Sequence, residues 1–138
     1  MKITLREDLD PDAEFYYQRQ FEIYHDSYLL WDRQIWEEIL NACDVYQIVV
    51  DGNYAGDVIW ESRENGAAYV VDFSILPQYQ GKGIGREILK QVQKVGQTLT
   101  AVTRKETLPF FLKSGFVLKR KVKNYYFPGV DGYYLKAE

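Results

Sequence analysis

Glycine recurs at alternate positions in Gln80-Gly81-Lys82-Gly83-Ile84-Gly85-Arg86. The segment follows an apolar run ending in Ile75-Leu76-Pro77 and leads into Ile84, Ile88, Val92 and Val95, which are spaced as one face of a helix. A chain with this junction has to pass from a strand through a tight loop into a helix. Glycine lets the backbone turn and approach a ligand closely, and the start of the helix offers unpaired N–H groups and the positive end of the helix dipole. Lys82 and Arg86 add positive charge beside them. The segment therefore reads as a cradle for a diphosphate. Two familiar phosphate loops are excluded by spacing. A P-loop needs four residues between its first glycine and a Gly-Lys-Ser/Thr, and the dinucleotide fingerprint would need glycine where Arg86 stands.

The flanking chain predicts the other elements. Lys2 to Leu5 alternates like a strand, and the acidic stretch Glu7 to Asp12 suits the entrance of a helix whose stripe would be Tyr17, Phe21, Tyr24 and Tyr28. A second helix is expected after Asp32, with Ile35, Ile39 and Ala42 on its apolar face. Val45 to Val50 and Tyr54 to Glu61 flank the turn Asp51-Gly52-Asn53 and predict a hairpin, and Glu64-Asn65-Gly66 turns the chain into a third run, Ala67 to Leu76. Beyond the glycine loop, Thr98 to Val102 reads as a strand and Leu108 to Ser114 as a short helix closed by Gly115. Val117 to Val122 and Tyr133 to Lys136 read as a final strand pair. Thr103 and Glu106 have the spacing of a capping box.

The 138 residues suit one domain over residues 1–138, and a hydrophobic fraction of 46% is enough for one core. No apolar stretch approaches the roughly 18 residues of a membrane span, and the N-terminus lacks the apolar core of a signal peptide, so a cytoplasmic protein with no membrane partner is expected. Cys43 and His25 are the sole residues of their kinds, which excludes an internal disulfide and argues against a metal site. The net charge of −3 conceals a division: residues 1–72 hold 5 basic against 16 acidic side chains, and residues 73–138 hold 12 against 4. Either the second half grips an anion while the first attracts a cation, or the two halves pair with each other across the fold. The basic residues are scattered and the whole chain is acidic, so no nucleic-acid partner is expected.

Beyond the glycine cradle, the full string resembles the GNAT acetyltransferase family. Gln80-x-x-Gly83-x-Gly85 is similar to that family's Q/R-x-x-G-x-G/A motif, and Pro109 to Phe116 resembles its short helix ending in F-Y-x-K-x-G-F. Asn124-Tyr125-Tyr126 with Asp131 to Tyr134 resembles the terminal hairpin of many small members. The resemblance implies an α+β fold, a mixed and mostly antiparallel sheet of six or seven strands flanked by about four helices. It implies acetyl-coenzyme A as co-substrate, with Gln80, Gly81, Lys82, Gly83, Ile84, Gly85 and Arg86 at the pyrophosphate and the backbone of Ile75 and Leu76 along the pantetheine arm. Phe110 and Lys113 belong to the same cofactor set, and no metal is implied.

Transfer to an amine needs a base, because a lysine-like ammonium is mostly protonated at neutral pH. Asp72 is the candidate, since it interrupts the apolar strand Val70-Val71-Asp72-Phe73 just upstream of the expected thioester position. The family's usual acid, a tyrosine in the short helix, is replaced here by Phe111, and Arg104 stands where the family often has asparagine. Tyr125, Tyr126, Tyr133 and Tyr134 of the hairpin are the candidates to replace that acid, Tyr126 foremost, and Tyr125 and Tyr28 are expected to line an acceptor site for a primary amine of a small molecule or a peptide. A monomer or homodimer is expected. A non-catalytic acyl-coenzyme A sensor or interaction module remains the alternative, as does a phosphate-binding regulator using the same loop.

Overall fold

The computed structural model describes residues 1–94 and 98–137. Val95, the last position of the expected helical stripe, lies outside them. The elements are β1 (Ile3–Glu7), α1 (Ala13–Ile23), a 3-10 turn (Ser27–Leu29), α2 (Arg33–Ala42), β2 (Asp44–Val50), β3 (Asn53–Ser62) and β4 (Ala67–Ile75). A second 3-10 turn (Pro77–Tyr79) leads to α3 (Ile84–Gln93), β5 (Thr98–Thr103), α4 (Leu108–Lys113), β6 (Phe116–Phe127) and β7 (Val130–Ala137). The seven strands form one sheet in the order β1-β2-β3-β4-β5-β7-β6. Every neighbouring pair is antiparallel except β4 with β5. This is the mixed, mostly antiparallel α+β sheet with four helices that the sequence led us to expect.

The two faces of the sheet bury different clusters. On one, Ile84, Ile88, Leu89 and Val92 of α3 and Phe111 of α4 pack on Ile48, Val58, Trp60 and Leu99. On the other, Tyr16 of α1 with Trp36 and Leu40 of α2 pack on Val45 and Ile59. Strand alternation divides β3 between them: Val58 and Trp60 go to the first cluster and Ile59 to the second.

The aromatic stripe is corrected by the structure. Helix α1 ends at Ile23, Tyr24 caps it in an extended conformation, and Tyr28 sits in the following 3-10 turn. The buried face is Tyr16 and Gln20, while Phe21 is exposed. Gln20 is buried because its amide binds the backbone of Trp31 at both ends, donating to the Trp31 carbonyl at 2.7 Å and accepting from its N–H at 2.9 Å. A polar residue on the core face is invisible to hydrophobic periodicity. Helix α2 begins after Asp32, which caps it by accepting from the Ile35 N–H at 2.9 Å. Its face is turned by one residue from expectation, with Trp36 and Leu40 inside and Ile35 exposed. The capping box does not form: α4 starts after Thr107, and the buried Thr103 hydroxyl is bonded to that of Thr107.

One contact fixes β3 against β4. A Cβ placed on Gly56 would lie 2.0 Å from the Ser74 carbonyl oxygen, so no side chain fits there. We predict that Gly56→Ala loses more than about 3 kcal/mol of stability, because the obstacle is backbone and cannot rotate away. Urea unfolding checks this, and an unchanged midpoint would contradict the close approach.

Candidate functional site

Strands β4 and β5 pair over a short stretch, from Ala67 opposite Thr98 to Val70 opposite Ala101. Beyond it, Val71 to Ile75 and Val102 to Arg104 line a cleft of about 950 Å³. Each strand is held away from the other. β4 remains paired with β3 as far as Ile75 opposite Gly56, the Leu76 N–H donates to the Ala55 carbonyl at 2.8 Å, and β5 continues against β7.

One end of the cleft is the glycine loop. Ile75, Gln80, Gly81, Gly83, Ile84, Gly85, Arg86 and Phe110 all line it. Gly83 caps α3 with φ 79°, a left-handed conformation unfavourable to residues with a Cβ, and no side chain caps that helix. The first-turn N–H groups of α3 therefore lack intrahelical partners, and the space that a side chain would take at Gly81 and Gly83 is open. An anion with several oxygens fits this donor set. The Gln80 side chain serves a different purpose. Its amide donates to the Ile75 carbonyl at 2.9 Å and ties the loop to the end of the strand. Leu76 is buried, its N–H is engaged by Ala55, and it is not part of the lining. Lys82 and Lys113 are exposed and also lie outside the lining, Lys82 with its ammonium 5.9 Å from the Tyr79 ring centroid.

The other end is aromatic and charged. Asp72, Tyr28, Tyr125 and Tyr126 meet there, together with Tyr24, Tyr69, Trp31, Trp36 and Arg104. Asp72 is buried, and the Tyr24 hydroxyl donates to its Oδ1 at 3.0 Å. The Tyr126 hydroxyl donates to the Val102 carbonyl at 3.0 Å, and burial raises its pKa, so it holds its proton at neutral pH. The hydroxyls of Tyr69 and Tyr125 are bonded at 2.9 Å. Phe111 also lines the cleft, but as a packed ring, edge-on to Phe73, Phe110 and Phe116. Among the described residues no group of three His, Cys, Asp or Glu could hold a metal, and no helix is long and apolar enough to cross a membrane.

The sequence reading missed Asp57. It lies on β3 opposite Ser74, on the same face as Asp72, and is 2% exposed. Tyr54 donates to its Oδ2 at 3.2 Å. Burial raises its carboxyl well above the ordinary range, and the charge of Asp72 pushes it further. Burial raises Asp72 too, while the adjacent Asp57 carboxyl and the bond from the Tyr24 hydroxyl oppose the rise. Both carboxyls are thus shifted toward the protonated form, Asp57 the more strongly. A signal was present: Asp57 interrupts the apolar run Ala55 to Trp60 just as Asp72 interrupts its own.

A carboxyl raised in the folded state keeps a proton that the unfolded chain releases, so its contribution to stability falls as pH rises above 3.8. We predict that Asp57→Asn gains stability relative to the unsubstituted chain between about pH 4 and pH 7, the gain growing with pH. Urea midpoints of both proteins across that range check it, and parallel curves would contradict the protonated Asp57.

A family model described as an acetyltransferase (GNAT) domain matches residues 41–118. Among curated proteins none matches the chain. Solved structures share the fold. The ribosomal-protein-S18-alanine N-acetyltransferase of Escherichia coli superposes at TM-score 0.80 with 17% identity, over 99% of this chain and 93% of that one. A spermidine/spermine N-acetyltransferase of Vibrio cholerae gives 0.76 with 18% identity, over 98% and 91%. A GNAT acetyltransferase of Elizabethkingia anophelis with acetyl-CoA bound gives 0.73 with 16% identity, over 99% and 97%. At these identities the likeness is one of fold.

Proposed function

Because this chain belongs to the GNAT acetyltransferase family, we propose that its cleft takes acetyl-coenzyme A and passes the acetyl group to a primary amine of a small molecule or peptide. The observation that carries this reading is the cleft between the parted strands, with an anion cradle at one end and a buried carboxylate at the other. Bound acetyl-coenzyme A supplies the acetyl thioester. Its pyrophosphate suits the N–H groups at the start of α3, beside Arg86, and the exposed Lys82 adds charge at the loop. Ile75 offers backbone to the pantetheine arm, and Phe110 offers an apolar wall. Leu76 and Lys113, in positions outside the lining, are left without a direct role.

Asp72 acts as the base. It takes one proton from the incoming ammonium, which frees the nitrogen lone pair to attack the thioester carbon. Tyr24 orients the Asp72 carboxylate, and Asp57, the more strongly raised of the two carboxyls, keeps the proton of the pair. Tyr126 turns its hydroxyl from the Val102 carbonyl, gives its proton to the sulfur as the C–S bond breaks, and regains one from the nitrogen, which sheds its second proton as the amide forms. The proton on Asp72 passes to solvent, so each turnover yields amide, free thiol and one proton. Tyr28 and Tyr125 form walls for the acceptor. The single free thiol of Cys43 suits a reducing compartment such as the cytoplasm.

Acetyl-coenzyme A is expected to raise the melting temperature, and ATP and NAD are not, because the loop spacing suits neither nucleotide fold. Asp72→Asn should lower kcat by about 10²- to 10⁴-fold with little change in acetyl-coenzyme A affinity, and Tyr126→Phe should lower it by a smaller factor. Thiol-release assays with calorimetry check both. Equal stabilisation by ATP would favour a phosphate-binding regulator. Tight coenzyme binding with no thiol release from any amine would favour a sensor, consistent with Phe111 in place of the tyrosine.

A further inference from the structure

Arg104 lines the aromatic end of the cleft, and its side chain is 23% exposed. A guanidinium carries five N–H donors. Here its contact with an acceptor is to Asp26 at 3.7 Å, too long for a hydrogen bond, and among the described residues it makes no other side-chain bond. Asp26 is 55% exposed, and the oxygen that meets Arg104, Oδ2, also accepts from the Tyr28 hydroxyl at 3.4 Å. The Arg104 guanidinium nitrogens keep access to solvent, so an anionic or carbonyl oxygen entering the cleft finds donors that the protein leaves unfilled.

The position of Arg104 relative to Asp72 says which molecule would bring that oxygen. All three of Tyr24, Asp72 and Arg104 line the cleft, the Tyr24 hydroxyl is bonded to Asp72 at 3.0 Å, and the Arg104 charge acts on Tyr24. Asp72 is the acidic side chain among the described lining residues, and the cations there are Arg86 at the glycine loop and Arg104. A polyamine threaded past Asp72 would set a second ammonium against Arg104. Trp36, also in the lining, has an indole N–H that is buried without a partner, a further donor and no acceptor.

We propose that Arg104 determines acceptor specificity by binding a carboxyl-derived oxygen next to the amine that Asp72 receives, so that the acceptor is the α-amino group of an amino acid or of a peptide N-terminus. The inference rests on the acetyltransferase reading above. The aromatic walls of Tyr28, Tyr125 and Tyr126 suit an apolar side chain on the same carbon.

The test measures thiol release from acetyl-coenzyme A with alanine and phenylalanine, their amides, dipeptides beginning with either, ethylamine, phenethylamine and spermidine. The α-amino compounds should exceed the matched plain amines by about 10- to 100-fold in kcat/KM, the yield of a charge-assisted hydrogen bond. Preference for free acids points to a carboxylate, and preference for amides or dipeptides to a carbonyl; both support the shared chemistry. Arg104→Met should erase the gap by raising acceptor KM while leaving acetyl-coenzyme A KM unchanged, and Arg104→Lys should restore part of it. Plain amines or spermidine reacting as well as α-amino compounds would overturn the proposal, as would turnover of no α-amino compound. So would Arg104→Met acting on acetyl-coenzyme A KM instead. Failure of the underlying reading looks different: acetyl-coenzyme A then neither shifts the melting temperature nor yields thiol with any amine.

Discussion

The parting of β4 from β5 is the constraint on which the rest of the structure depends. Parallel strands that pair through their whole length leave no room between them; here the ladder stops at Val70 and Ala101 because each strand has a stronger claim elsewhere. β4 is pinned to β3 by the contact of Gly56 with the Ser74 carbonyl and by the Leu76 N–H on Ala55. β5 is paired with β7, which in turn pairs with β6. The cost of leaving backbone groups unpaired inside a sheet is tolerable only where a ligand or solvent can satisfy them, so the gap and the site are one feature. Gln80 extends the same restraint, tying the glycine loop to the last carbonyl of β4 and aiming the start of α3 at the opening.

Both faces of the sheet hold the site rigid, by different means. On the α3 and α4 face the support is apolar: Phe111 packs edge to face with Phe73 and Phe110, and Gly85 makes room for the ring of Phe110, which a Cβ there would meet at 2.9 Å. On the α1 and α2 face the support is polar and buried. Each of the two buried carboxyls has a phenol donor, Tyr24 for Asp72 and Tyr54 for Asp57. Buried carboxyls are costly unless protonated or hydrogen-bonded; both are hydrogen-bonded here, and both are shifted toward the protonated form, Asp57 the more strongly.

The division of charge along the chain has a corresponding structural outcome. The described ion pairs Arg19–Glu22, Arg33–Glu14 and Arg63–Glu61 stay within the first 72 residues, and Lys121–Asp131 stays within the rest. Arg104 with Asp26 joins the halves, and it does so at the mouth of the cleft. These exposed pairs contribute little to stability. Of the chain's charges Asp72, Arg86 and Arg104 reach the cleft, and most of the others lie outside its lining.

From sequence alone came the strand order of the meander, the glycine loop, the helix after it and the terminal hairpin, because each depends on neighbours in the chain: turn residues, alternation, and glycines where a side chain would not be tolerated. Asp72 was legible for the same reason, as a charge inside an apolar run. The inward face of α1 was not, because Gln20 is buried through a bond to Trp31, eleven residues away, that no local pattern encodes. Nor was Asp57, whose partner Asp72 lies on the next strand and whose protonation follows from burial. The roles open to Arg104 and Tyr126 were decided by tertiary structure, since an unfilled guanidinium and a phenol bonded to Val102 are relations among β5, β6 and the segment after α1. Local chemistry sets what each segment becomes; which charges lose their water, and which donors are left without partners, is settled only when distant segments close over them.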